Sequence, residues 1–172
     1  MSNEKAIAEV GFQLEKGTYP TIKREIHKRG WKLLCNPPTK VRLLQVQEFY
    51  ANAAMNGQDE PHPSVMTYAL RLSTHPRYDE IINDICVLGA EWTRDASGMP
   101  NQLKRGDLIP AARGWYEFVR RSILPTSNNS EVTKKRAILV HCIMTGEEIN
   151  IENIIASNTQ RMAESMGHST TL

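Results

Sequence analysis

The segment from Ala137 to Met144 constrains the fold most strongly, because it is apolar at every position except His141. It follows a run of three basic residues and ends close to Gly146, a residue type that commonly terminates helices. A helix that is apolar nearly all round is stable only when other elements cover it on every side. The sequence therefore predicts a central helix that begins after Ser130 as its N-cap and ends at Gly146.

Segments with helical periodicity lie on both sides of this central helix. Asp107 is a predicted N-cap for a helix through residue 124, with Pro110 in its first turn, where the missing N–H costs little. Asn150 is a predicted cap for the helix that follows. Further helices are predicted at 4–16, 22–29, 39–55, 64–73 and 77–88, and residues 93–109 are predicted to be a long connection. Since strand signals are few, we expect an all-α fold, a single compact array of about six to eight helices.

The charge and the cysteine content indicate which kinds of binding partner and which cellular compartment to expect. The chain of 172 residues has 21 Lys and Arg against 19 Asp and Glu, too near balance for a strong, sequence-independent grip on phosphates. Three widely spaced cysteines favour reduced, buried thiols in an intracellular protein, with nucleus or cytoplasm left open. The N-terminus is not typical of a secretory signal, and no stretch approaches the roughly 20 apolar residues of a membrane span, so no membrane partner is expected.

The spacing of cysteine and histidine residues gives little support for a zinc site or for a catalytic cysteine. Zinc sites usually use Cys and His pairs a few residues apart, whereas this chain has only the adjacent His141 and Cys142. Neighbours on a helix point about 100° apart, so we expect a buried histidine and thiol here. A cysteine nucleophile would need a nearby histidine, and no local signature marks such a pair. The residues in question are Cys35, Cys86, Cys142, His27, His62, His75 and His141.

Carboxylate and phosphate-loop chemistry are also unsupported. Nucleic-acid enzymes of transposable elements need carboxylates that converge on divalent metal. The candidates are Asp79, Glu80, Asp84, Glu91, Asp95 and Asp107, of which the first three are predicted on the solvated face of one helix. The phosphate-loop pattern GxxxxGK[ST] is absent. We therefore expect no catalytic, cofactor-binding or metal-binding residue, no cofactor, no small-molecule ligand and no enzymatic activity.

Two basic clusters remain as candidate binding surfaces. One surrounds the helix at 22–29 and comprises Lys23, Arg24, Lys28, Arg29 and Lys32. The other flanks the polar loop at 125–133 and comprises Arg120, Arg121, Lys134, Lys135 and Arg136. If the two halves of the second cluster lie side by side, five cations around an exposed loop form a surface for nucleic acid or an acidic partner. A solvated helix face is the alternative for both.

Three strings in this order resemble the plant transposon protein domain family, which occurs in retroelement-derived plant proteins of unknown function. They are RGWKLLCNPP at 29–38 with QEFYANA at 47–53, LKRGDLIPAARGWYEFVRRSILPTSNNSEVTKKRAILVHCIMTGEEIN at 103–150, and IENIIA at 151–156. The resemblance implies three regions. Residues 1–38 are N-terminal helices and a connection, 39–160 a helical core with a divergent segment at 57–83, and 161–172 a helix end and frayed tail.

The family brings no established activity, cofactor or catalytic residue. Together with the residues, it favours a non-enzymatic, retroelement-derived module that binds either itself or nucleic acid. The alternative is a remnant of a nucleic-acid-processing enzyme encoded by the element. Converging carboxylates would favour the enzyme, a single basic face would favour nucleic acid, and an exposed apolar patch would favour self-association.

Overall fold

The structure is a computed structural model that describes residues 19–35 and 77–167, with residues 160–167 through the backbone only. This part of the chain contains six α-helices, three β-strands and one 3-10 turn. The helices are α1 (Pro20–Lys28), α2 (Lys32–Cys35), α3 (Tyr78–Ile85), α4 (Pro110–Ser122), α5 (Lys134–Met144) and α6 (Ile151–Gly167). The strands are β1 (Thr93–Arg94), β2 (Pro100–Lys104) and β3 (Glu131–Thr133), and a 3-10 turn spans Arg105–Asp107. The helices predicted at 4–16, 39–55 and 64–73 lie outside the described residues.

The expected all-α fold is wrong, because the chain also contains an antiparallel sheet and is a mixed α/β structure. The strands lie in the order β1-β2-β3. In the pairing of β2 with β3, Leu103 lies opposite Val132, and both side chains are fully buried. The predicted connection at 93–109 thus supplies two strands and the 3-10 turn, and the residue after Ser130 begins a third strand.

The strands could not be predicted from the sequence, because each is too short to show a hydrophobic period. β2 has five residues, of which Pro100 and Leu103 are buried, and β3 has three, of which Val132 is buried, so neither strand shows a regular alternation. Their pairing is stabilised by tertiary contacts, since α5 packs against both strands. The turn between β1 and β2 is local, however. The Asp95 carboxylate accepts hydrogen bonds from the backbone N–H groups of Ser97 and Met99, at 2.9 and 3.0 Å.

Helix α5 is central, as predicted. All seven residues from Ala137 to Ile143 are buried, and the helix packs against α3, α4 and the sheet. Its beginning differs from the prediction, because the helix starts at Lys134 and Thr133 occupies the N-cap position without a side-chain hydrogen bond. The predicted N-cap at Ser130 is therefore wrong, because the three residues after it form β3 and pair with β2.

Helix α4 and its C-cap residue Ile123 bury the predicted stripe of Ala112, Trp115, Val119 and Ile123 against this centre. The chain enters it through the 3-10 turn, so Asp107 is part of that turn and does not cap the helix. Ile109 takes the N-cap position, and Pro110 occupies the first turn as expected. The predicted burial is confirmed, while the predicted cap is wrong.

Helix α1 and the turn after it cover the outer side of α4. Gly30 ends α1 with φ 71°, a left-handed conformation that suits glycine. The indole of Trp31 stacks on Phe118 of α4, with ring centroids 5.9 Å apart. The guanidinium of Arg29 lies 5.0 Å from the Trp31 ring and donates to the Glu147 carbonyl at 2.8 Å. This turn therefore ties the N-terminal helices to the C-terminal part of the chain.

Of the two remaining predicted helix boundaries, one is wrong and one is confirmed. Helix α3 ends at Ile85, earlier than predicted, because Cys86 is extended and forms a bridge with Leu108. The cap of α6 is confirmed, since the Asn150 side-chain oxygen accepts a 3.0 Å hydrogen bond from the Asn153 N–H. The three cysteines are buried thiols. Among the described helices, none combines the length and apolar character needed to cross a bilayer.

Candidate functional site

Basic side chains gather on one face of α4, beside the 3-10 turn. Arg113, Arg120 and Arg121 each lie three or four residues from Glu117, so they surround it on this face of the helix. Arg105 reaches the same face from the 3-10 turn. We call the set of Arg105, Arg113, Arg120 and Arg121, with Glu117 between them, the arginine face.

Glu117 is the anion at the centre of the arginine face. Arg105 Nη2 lies 2.9 Å from Glu117 Oε1, Arg120 Nη2 2.9 Å from Oε2, and Arg121 Nε 3.3 Å from Oε2. Arg113 binds elsewhere, donating to the carbonyls of Gly106 and Leu108 at 3.0 and 3.1 Å. One carboxylate thus faces three guanidinium groups, and the fourth holds the 3-10 turn against α4.

The pKa of Glu117 reflects this excess of positive charge. Burial acts to raise the pKa of the Glu117 carboxyl, but the hydrogen bond from Arg120 and the charges of the three arginines outweigh it, so the pKa lies below its ordinary value. The neighbouring Tyr116 is fully buried, and desolvation raises the pKa of its phenol although nearby arginines act in the opposite direction. The Tyr116 hydroxyl donates to the Glu131 carbonyl at 2.8 Å, which joins α4 to β3.

The five cations predicted as a binding surface separate into two groups. Arg136 donates to the carbonyls of Leu124 and Pro125, both at 3.0 Å, so it meets the end of α4 close to Arg120 and Arg121. Lys134 and Lys135 begin α5 and are half-buried. The charge of Lys134 acts on Asp95 in the turn between β1 and β2. The arginines are therefore brought together, whereas Lys134 faces the hairpin; a binding role for any of the five stays a prediction.

Sequence reasoning missed two members of the arginine face, Arg105 and Arg113. The helical spacing of Arg113 from Glu117 was a usable signal. Arg105 carried no such signal, because it reaches Glu117 only after the chain turns between β2 and α4.

The carboxylates considered for metal-dependent catalysis do not form one group in the described part of the chain. Glu80 pairs with Arg77 at 2.6 Å, and Asp95 is engaged in its own turn. Asp84 lies on α3, where its Oδ2 is 2.8 Å from His141 Nε2 of α5. The partner of the Asp84 carboxylate is therefore a histidine, and not another carboxylate with which it could share a metal ion.

The cysteines are poorly suited to nucleophilic chemistry. Burial, with a smaller contribution from Asp107, raises the pKa of the Cys86 thiol to about 11. Burial also raises the pKa of Cys35. A thiol held protonated at neutral pH is a weak nucleophile. Cys142 is 1% exposed and His141 3% exposed, which leaves no room for a polymeric substrate at that pair.

A second cluster of polar side chains lies at the C-terminal end of α5. Gly146, with φ 81°, turns the chain back, and the N–H groups of Gly146 and Glu147 donate to the carbonyls of Ile143 and Cys142 at 3.3 and 3.0 Å. This is a Schellman motif. It returns the Glu147 carboxylate to the end of the helix, where single donor atoms of His141, Cys142 and Glu147 all lie within 4.8 Å of one another.

Comparison with known families identifies the lineage of the chain. The sequence model of a family described as "Putative plant retrotransposon-related domain" matches residues 27–172. The chain belongs to this family. The predicted resemblance to a retroelement-related plant domain of unknown function is thereby confirmed. Comparison with curated proteins and with solved structures gave no match. The arginine face, the sheet and the Schellman turn all lie within the matched residues of this retrotransposon-related domain.

Proposed function

We propose that this retrotransposon-related domain binds nucleic acid through the phosphate backbone, and that the arginine face is the contact surface. The observation that carries the proposal is the convergence of three arginines on the single carboxylate of Glu117. Each guanidinium has five N–H donors, whereas a carboxylate offers about four acceptor positions. The surface therefore has far more donors than Glu117 can satisfy, and phosphate oxygens are suitable additional acceptors.

Exposure indicates which arginines reach a phosphate. The side chains of Arg105 and Arg121 are each 35% exposed, whereas that of Arg120 is 13% exposed. Arg105 and Arg121 are therefore the expected phosphate ligands, and Arg120 holds Glu117 in place. Arg136 binds the carbonyls of Leu124 and Pro125 just beyond α4, and so fixes the chain where it leaves that helix.

Binding through phosphates predicts a specific dependence on salt. The logarithm of the association constant falls with the logarithm of the salt concentration, with a slope of about −0.9 for each phosphate neutralised on duplex DNA. Two contacts, from Arg105 and Arg121, should give a slope of about −1.8. Binding of this kind is weak and independent of sequence, as the near-balanced overall charge of +2 also suggests.

Fluorescence anisotropy with labelled duplex DNA and single-stranded RNA, titrated between about 50 and 200 mM salt, tests the proposal. The double variant Arg105→Gln/Arg121→Gln should bind more weakly and lose most of the salt dependence. Glu117→Gln should bind more tightly, because the competing anion is removed. Lys134→Gln/Lys135→Gln reports whether the start of α5 takes part.

The matched control is Lys23→Gln/Arg24→Gln, which removes the same charge from exposed positions on α1. Its affinity should stay close to that of the unchanged protein. The proposal is wrong if the unchanged protein binds neither nucleic acid at low salt, or if the α1 variant weakens binding as much as the arginine-face variant. In the latter case, net charge or the basic cluster on α1 explains the binding, and the arginine face has no special role.

Self-association has less support. The large apolar side chains that are exposed in the described residues are Leu33, Val87, Leu88 and Met99, and they belong to three separate segments of the chain. A continuous patch is the usual mark of a self-association surface. Sedimentation analysis of the same samples measures any dimer directly.

A further inference from the structure

The Schellman turn at the end of α5 places three kinds of metal ligand together: an imidazole, a thiol and a carboxylate. His141 and Cys142 come from the last turns of the helix, and Glu147 returns from beyond Gly146. One donor atom from each lies within 4.8 Å of the other two. The Thr145 hydroxyl, which has one proton, lies 3.2 Å from Glu147 Oε1 and 3.0 Å from the His141 carbonyl, on this side of the turn.

The contact with Asp84 gives His141 the orientation that a metal ligand needs. Asp84 Oδ2 lies 2.8 Å from His141 Nε2, and a carboxylate accepts a hydrogen bond, so the ring proton belongs on Nε2. Nδ1 then carries the lone pair. In metal sites the coordinating histidine commonly donates its other ring N–H to a carboxylate, which fixes the ring and increases the basicity of the coordinating nitrogen.

We propose that this cluster is a transition-metal site, best suited to Zn²⁺, with His141 Nδ1, Cys142 Sγ and a Glu147 carboxylate oxygen as ligands. The site is independent of the arginine face. Nitrogen, thiolate and carboxylate together fit zinc, whereas Mg²⁺ and Ca²⁺ prefer oxygen ligands alone. Three protein ligands leave the fourth tetrahedral position to water, and Cys142 releases its proton to solvent on binding.

The distances allow such a site after a small adjustment. Zinc bonds of about 2.0 to 2.3 Å place tetrahedral ligand atoms about 3.3 to 3.8 Å apart. The present limit of 4.8 Å requires a contraction of about 1 Å. Glu147 is the ligand that can move, because it follows the helix and is half-buried. Asp84, which contacts the other ring nitrogen of His141, is 54% exposed, so the histidine lies close to the protein surface.

Cobalt(II) is the probe, because a tetrahedral Co²⁺ site has intense visible d–d bands and a thiolate ligand adds a near-ultraviolet charge-transfer band. The complete, reduced chain without a polyhistidine tag is titrated with Co²⁺ alone. We expect saturation at one equivalent, both sets of bands, and loss of the bands when Zn²⁺ is added. Zn²⁺ should also raise the midpoint of thermal unfolding, because it binds only the folded site.

Four variants assign the ligands. Cys142→Ser should lose the charge-transfer band, whereas Cys86→Ser, which removes another buried thiol, should keep it. Glu147→Gln should weaken binding strongly, and Asp84→Asn should weaken it about 10- to 100-fold while keeping the bands. Glu147→Gln changes a half-buried residue outside the helix and so provides a test even if Cys142→Ser is unstable.

Three results would overturn the proposal. They are the absence of a saturable one-equivalent spectrum in the unchanged protein, a charge-transfer band that persists in folded Cys142→Ser, and unchanged Co²⁺ affinity in Glu147→Gln. The first outcome would mean that the three donors do not bind a metal, and either of the other two would mean that the ion is held by different residues.

Discussion

Replacing Gly114 by alanine tests the contact between α1 and α4. Gly114 is buried in the middle of α4 and faces the first residues of α1. A β-carbon at this position would lie 2.5 Å from Ile22 Cδ1 and 3.0 Å from the Tyr19 ring. Carbon atoms in contact normally lie about 3.5 to 4.0 Å apart. Because Ile22 is only 2% exposed, its side chain has little room to withdraw.

Two opposing effects set the magnitude. Alanine is favoured over glycine inside a helix by about 0.8 to 1.0 kcal/mol. An extra methyl group in a packed core costs about 1 to 3 kcal/mol. We therefore expect Gly114→Ala to lower the free energy of unfolding by about 1 kcal/mol, which corresponds to about 2 to 4 °C in the midpoint of thermal unfolding for a chain of this size.

A double-mutant cycle isolates the contact. Ile22→Val removes the Cδ1 methyl that the new β-carbon would meet, so Gly114→Ala should cost less in that background than in the original protein. Ile26→Val is the matched control, because Ile26 is equally buried on α1 but is not among the atoms nearest to Gly114. With Ile26→Val the two effects should add to within about 0.5 kcal/mol. Urea unfolding provides the free energies.

The reasoning is refuted if Gly114→Ala stabilises the protein by about 1 kcal/mol, as it would in an exposed helix, and shows no coupling to Ile22→Val. That result would mean that α1 does not approach α4 as closely as the structure has it.

Three further perturbations address the sheet, the arginine face and helix α6. Tyr116→Phe should lower the free energy of unfolding by about 1 to 2 kcal/mol in urea, because the Glu131 carbonyl loses its 2.8 Å donor; an unchanged midpoint would contradict the contact. Glu117 has a lowered pKa in the folded protein, so its stabilising contribution is present above its ordinary pKa of 4.5 and is lost as the pH falls through the folded value. Thermal unfolding of Glu117→Gln should therefore depend less on pH below about 4.5 than that of the unchanged protein, and parallel profiles would argue against the lowered pKa. Asn150→Ala should cost about 1 kcal/mol and reduce helical circular dichroism, whereas the cap on Asn153 is unimportant if neither changes.

Local sequence signals predicted an element correctly wherever the residues of that element alone determine its structure. The apolar run from Ala137 specified a buried central helix, because no other arrangement hides a helix that is apolar all round. Gly30 and Asn150 marked helix ends through conformations and hydrogen bonds that depend only on near neighbours. The three long strings in family order were likewise a property of the sequence, and they identified the retroelement lineage.

The tertiary structure decided what depends on residues distant along the chain. The segments around Leu103 and Val132 form strands because they pair with each other and α5 packs against both. These segments are too short to show a period, and the all-α expectation was therefore wrong. Arg105 meets Glu117 across an intervening turn, and Asp84 meets His141 across 57 residues. By itself the sequence determined the central helix, several helix ends and the lineage. The fold decided the sheet and both candidate sites, because those contacts exist only after separate elements pack together.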